Sequence, residues 1–116
     1  MKHRIKGRKL HRKKDQRKAL LKSLGSSLIL KGSIITTEAR AKDLRIFIEK
    51  KITKAKRKNL TAIRYLRKYF SEKVVQKLVK EIAPALENKK GGYTRIIKVN
   101  PRKTNGAKMV KIELIK

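Results

Sequence analysis

The chain has no cysteine, only two prolines, two histidines and five aromatic residues, and eight acids in 116 residues. Without cysteine there is no disulfide scaffold, no cysteine zinc site, no iron–sulfur cluster and no thiol nucleophile. Hydrophobic runs are equally short. The longest are three residues, as at Leu28-Ile29-Leu30, so the sequence contains neither a membrane span of about 20 residues nor the apolar stretch of a signal peptide. The basic N-terminus lacks the serines and apolar face of an organelle transit peptide and reads as part of the working protein.

What the chain does have is positive charge. Thirty-six Lys and Arg against eight Asp and Glu give a formal net charge of +28 and an isoelectric point near 11.1. A compact state with that excess repels itself, so the physical expectation is a polyanionic partner, with nucleic acid first. The length is that of one small domain with a modest core.

Charge is uneven along the chain. Residues 1–18 carry ten basic groups and one acid, 19–58 eleven and three, 59–88 six and three, and 89–116 nine and one. Residues 1–14 have too few apolar side chains to collapse on their own and read as an extended basic tail, leaving 15–116 as the single domain. The low charge of 59–88 marks the segment expected to make the fewest nucleic-acid contacts.

From Asp15, a good N-cap, Leu20, Leu21, Leu24 and Leu28 recur at helical spacing and predict a helix over about 16–30, stopped by Gly32. The β-branched run Ser33–Thr37 predicts a strand. Thr37 then caps a second helix, with Ala41, Leu44, Ile48, Ile52 and Ala55 as its buried stripe and Lys42, Lys50, Lys54 and Arg57 off it. Asn59 and Ser71 cap two shorter helices, the latter interrupted at Pro84. Gly91-Gly92 breaks the chain before a strand over 93–99. A hairpin-sized loop through Asn105-Gly106 follows, and then a last strand with Val110, Ile112 and Leu114 facing the core. The order helix, strand, three helices, two strands describes a two-layer α+β domain with helices on one face of a small sheet.

The basic tail is the strongest functional signal, read against the plainer alternative of a solvated arm without a partner. A polycation of this density binds by neutralising phosphates and releasing counterions. Of the five rings, Phe47 and Phe70 read as core, and only Tyr93 falls in an expected strand, as core or contact, so base stacking is not the main mode. Lys89, Lys90, Gly91, Gly92 and Arg95 form a second candidate contact, against the alternative of a plain strand-entry turn. The segment lacks the Lys-Ser/Thr ending of a phosphate-binding loop. His3 and His11 raise a two-histidine ribonuclease, but nothing holds them either side of a phosphate, and hydrogen bonding to phosphate or ribose is the better reading. The acids are scattered and support neither a metal site nor a carboxylate pair. No cofactor or small-molecule substrate is expected.

Several strings, taken in order, carry a family resemblance. They are Met1-Lys2-His3-Arg4, Gly7-Arg8-Lys9-Leu10, Ile35-Thr36-Thr37 with Arg40-Ala41-Lys42-Asp43-Leu44-Arg45, Gly91-Gly92-Tyr93-Thr94-Arg95-Ile96, and Ile112-Glu113-Leu114. Together they resemble the bacterial-type large-subunit ribosomal protein family numbered seventeen, across essentially the whole chain. The chain departs from the family's frequent residues at Gln16-Arg17, Lys22-Ser23 and Thr104-Asn105.

The resemblance implies a structural protein of the large ribosomal subunit in the cytoplasm. It implies binding to large-subunit ribosomal RNA on the outer surface around the peptide exit region, beside the small neighbouring protein numbered thirty-two. It also implies a mixed three-stranded sheet with the first strand beside the third. The RNA-facing residues expected by motif and position are Lys2, His3, Arg4, Lys6, Arg8, Lys9, His11, Arg12, Lys13, Lys14, Arg17 and Lys18 in and after the tail. With them go Arg40, Lys42 and Arg45, then Gly91, Gly92, Tyr93 and Arg95. The competing reading, a DNA-compacting protein, wants an apolar wedge at a hairpin tip, and Pro101 is the one candidate.

Overall fold

The computed structural model describes residues 14–115. Helix α1 spans Lys14–Lys31, strand β1 Ser33–Thr37 and helix α2 Glu38–Ala55. Helices α3 (Leu60–Arg67) and α4 (Glu72–Lys77) follow, and then strands β2 (Thr94–Lys98) and β3 (Met109–Leu114). The helices pack on one face of the sheet, as the alternating pattern of β3 requires: Val110, Ile112 and Leu114 are buried while Met109, Lys111 and Glu113 are partly exposed.

Asp15 is not the cap of α1 but lies inside its first turn, where a carboxylate complements the positive end of the helix dipole. The other end is closed twice. Gly32, at φ 85°, donates its N–H to the Leu28 carbonyl at 2.7 Å, and Lys77 of α4 donates its Nζ to the Leu30 carbonyl at 2.9 Å. Thr37 caps α2 through its hydroxyl, which accepts the Arg40 N–H. Asn59 caps α3 by accepting the Ala62 N–H at 2.8 Å.

Pro84 does not interrupt the last helix. Past Lys77 the backbone widens into a π-helical turn over Leu78–Ile82 and continues into a final turn, Ala83–Ala85. A proline ring in an α-helix collides with the carbonyl four residues back. The wider turn lies immediately before the ring, and the helix continues at the cost of one irregular turn.

The sheet order is β1-β3-β2, with the first strand beside the third. Both pairings are antiparallel, so the expected mixed sheet is corrected to a wholly antiparallel one. The short β2–β3 connection brings the chain straight back, and β1 then meets β3 from the other side with Ile34 opposite Ile112. Strand β2 is shorter than the expected 93–99, and Tyr93 just before it turns inward. In the intervening loop Arg102 and Gly106 close a turn, and Asn105 accepts the Ala107 N–H at 3.1 Å.

The core joins α1, α2 and the last helix to the sheet: Leu28, Ile29, Leu44, Ile48, Leu78 and Ile112 are all fully buried. Each such side chain contributes about 1.5–3 kcal/mol relative to exposure. Gly25 permits the close approach of α1, since a Cβ there would lie 3.3 Å from ring atoms of both Phe47 and Phe70.

Candidate nucleic-acid interface

Among the expected RNA-facing residues, Lys2, His3, Arg4, Lys6, Arg8, Lys9, His11, Arg12 and Lys13 lie outside the described residues. The remainder, from Lys14 at the start of α1 to Arg95 in β2, are spread over several faces of the domain.

The first lies between α1 and α2. Helical periodicity turns Arg17, Lys18 and Lys22 of α1 toward Asp43, Ile46 and Lys50 of α2, and the two sets line one open groove. Its wall includes Phe47, Tyr69 and the inner lysine, Lys51. Lys51 is 5% exposed, and its Nζ sits 3.8 Å from the centre of the Tyr69 ring, 4.8 Å from that of Phe47 and 4.7 Å from that of Tyr65. It donates a 2.7 Å hydrogen bond to the Tyr65 hydroxyl. Burial depresses its pKa below the ordinary 10.5, opposed by its attraction to Tyr69 and reinforced by repulsion from Lys50. Three aromatic faces and a hydroxyl thus take the place of a carboxylate around this cation.

The second surface joins the Gly91 turn to the C-terminal half of α2. Gly91 and Lys90 share a shallow groove with Lys50, Lys54 and Arg57. Tyr93, beneath it, is 1% exposed, so its ring belongs to the core and is withdrawn from stacking. Its hydroxyl accepts a hydrogen bond from Lys56 at 3.2 Å and donates to the Lys89 carbonyl at 3.4 Å. Burial would raise the Tyr93 pKa, but hydrogen bonds from Thr53 and Lys56 and the Lys56 charge outweigh it and lower the pKa below 10.0. Gly92 takes φ 65°, a backbone that favours glycine.

Elsewhere the cations are partly engaged, on the outer side of the sheet and, separately, along the N-terminal half of α2. Arg95 pairs with Glu113 across the β2–β3 ladder at 3.3 Å, Lys42 with Glu38 at 3.4 Å and Arg45 with Glu49 at 3.5 Å. Glu49 also accepts from the buried Thr94 hydroxyl at 2.9 Å, which locks α2 onto β2. The cation of each pair is at least half exposed, so these pairs are worth little to stability.

The structure therefore separates Arg17 and Lys18 from Gly91, with Lys50 lining the grooves on both sides of α2. In the sequence Lys50, Lys54 and Arg57 are legible only as cations off the buried stripe. Lys51 stands three residues after Ile48 and four before Ala55, so the same spacing that predicts the core already puts it inside. Among the described residues no group of His, Asp and Glu is gathered as a metal site. No helix there is long and apolar enough to cross a membrane.

A small α+β scaffold that turns cations outward on several faces, while four of its carboxylates hold cations of their own, is of the polyanion-binding class. Comparison with known proteins makes this specific. Residues 20–115 match the family described as Ribosomal protein L17. The chain is 49% identical over 116 residues to the large ribosomal subunit protein bL17 of Gemmatimonas aurantiaca, covering 99% of this chain and 98% of that one. The protein of the same name from Carboxydothermus hydrogenoformans is 49% identical over 111 residues, covering 92% and 96% of the two chains. That from Clostridium botulinum strain Hall is 50% identical over 109 residues, covering 93% and 96%. The chain belongs to the ribosomal protein L17 family and is a structural, non-enzymatic component of the large ribosomal subunit.

Proposed function

We propose that the protein holds large-subunit ribosomal RNA in place mainly through lysine and arginine contacts to phosphate. The basic tail of residues 1–14 and the domain of 15–116 act together. The observation that carries this reading is the distribution of the +28 charge. It spares residues 59–88 and is concentrated in the N-terminal 58 residues and the C-terminal 28. The α1 and α2 groove gathers Arg17, Lys18, Lys22 and Lys50 around a single carboxylate, Asp43.

The contact set proposed is the tail from Lys2 to Lys14, then Arg17, Lys18, Arg40, Lys42, Arg45, Gly91, Gly92 and Arg95, with the backbone at Tyr93. Contact through six to ten phosphates would lower affinity by about 10³–10⁵ between about 50 and 200 mM salt. Titration of the protein against large-subunit RNA over that range tests the reading. A salt-independent affinity, or a preference for duplex DNA in competition, would overturn it.

The finer position proposed is the outer surface of the subunit around the peptide exit region, beside the small protein numbered thirty-two. The support for it is the sequence resemblance. Crosslinking within isolated large subunits tests it, and crosslinks only to proteins remote from the exit would defeat it. Work in the cytoplasm follows from membership of the large subunit.

A further inference from the structure

The groove between α1 and α2 has two halves of opposite character. Leu21, Ile46, Phe47 and Tyr69 form an apolar wall. Ile46 is 60% exposed, on the side of α2 away from the core, although cations surround it. Around that wall stand Arg17, Lys18, Lys22 and Lys50, with Lys51 beneath, against the one carboxylate of Asp43. Lys22 holds its Nζ 5.7 Å from the centre of the Tyr69 ring.

An apolar peptide would cover the wall and bring no counter-charge to Lys18, Lys22 and Lys50, at a desolvation cost. A lone phosphate would satisfy the cations and leave Ile46 in water. A nucleotide brings a planar base with low polarity on its faces, flanked by phosphates a few ångströms away. The groove's volume, about 370 Å³, is near the lower end of the range for small-ligand sites, about 300–1,000 Å³. It suits one splayed-out base, and single-stranded loops and bulges are where RNA presents such bases.

We propose that this groove seats one unstacked nucleotide of the large-subunit RNA, its base against Ile46, Phe47 and Tyr69 and its flanking phosphates against Lys18, Lys22 and Lys50. This rests on the RNA-binding reading above and gives it a specific subsite. The Lys51 cation fixes the orientation of the Tyr69 ring from within, so the wall is formed before the RNA arrives.

The test uses the full chain and large-subunit RNA. Lys22→Gln combined with Lys50→Gln removes two phosphate partners. It should weaken binding about tenfold or more and make the log–log salt slope shallower by about two. Ile46→Asp, at an exposed position that folding does not depend on, should weaken binding by a similar factor by placing an anion in the groove. Ultraviolet crosslinking of assembled subunits should join the peptide carrying Tyr69 or Phe47 to a single RNA position. If both variants bind like the parent with an unchanged slope, the subsite is wrong while the RNA-binding reading stands. A crosslink from this groove to a protein neighbour would also overturn it. If the parent itself shows no salt-dependent binding, the broader reading fails with it.

Discussion

Lys51 holds its ammonium 3.8 Å from the centre of the Tyr69 ring, inside the domain, with no carboxylate paired to it among the described residues. A buried cation is costly unless its field is answered, and here the answer is three ring faces and the Tyr65 hydroxyl. Lys51→Ala should therefore destabilise the fold by about 2–4 kcal/mol, combining lost packing, a lost desolvated cation–π contact and an unpaired tyrosine hydroxyl. Lys51→Met keeps most of the volume and removes the buried charge, and should cost clearly less. Urea unfolding of the two variants checks the order, and equal losses would mean that side-chain packing has no part in it.

The same residue sets a pH dependence. Its folded pKa lies below the unfolded value of 10.5, so between those two values the unfolded chain binds more protons than the folded one. Stability contributed by this group must then rise as pH rises through that window. Tyr93, an acid with a folded pKa below 10.0, acts in the same direction. Parent and Lys51→Met should diverge in favour of the parent as pH is raised from 7 toward 10, measured by chemical denaturation. A constant difference would remove Lys51 as the cause.

At Gly25, ring atoms of Phe47 and Phe70 leave only 3.3 Å for an added Cβ. Gly25→Val must push both rings, and overpacking of this kind costs about 1–3 kcal/mol. Gly25→Ala should cost less, because alanine's helix propensity, about 1 kcal/mol better than glycine's, offsets part of the strain. Thermal melts of the pair test this, and a stabilised valine variant would show that α1 has room to move outward.

Lys58, between α2 and α3, is the one non-glycine described residue at positive φ, 56°. A left-handed backbone costs an ordinary L-residue about 1–2 kcal/mol. Lys58→Gly should accordingly stabilise the protein by about 0.5–1 kcal/mol, the remainder being lost to the greater freedom of glycine when unfolded. A lower urea midpoint in the variant would contradict it.

The region between Asn59 and Asn88 should be the least protected by RNA. Hydroxyl-radical or lysine-reactivity footprinting of assembled subunits should leave Lys73 and Lys80 more reactive than Arg17, Lys18 and Lys50. The reverse order would displace the interface from α1 and α2 to α3 and α4.

Elements written in local pattern are legible in the amino-acid sequence alone. Thr37 and Asn59 cap the helices expected of them, β1 covers Ser33–Thr37 as the β-branched run implies, and Val110, Ile112 and Leu114 face inward by simple alternation. Caps and periods act over a few residues, so a few residues suffice to read them. Pro84 is different, because whether a helix stops at proline or widens around it depends on the packing of Leu78 and Ile82, which is not a local matter.

The absences of the sequence and its one-sided charge are enough to exclude thiol chemistry and to call for a polyanion. Tertiary structure alone decides that both strand pairings are antiparallel, that Tyr93 is core, and that Lys51 meets Tyr65 and Tyr69. It also decides that cations far apart in the chain, Arg17 and Lys22 with Lys50, face one groove. Each of these is a contact between distant parts of the chain. Their geometry is set by how α1 and α2 pack against each other and the sheet, and no window of neighbouring residues contains it.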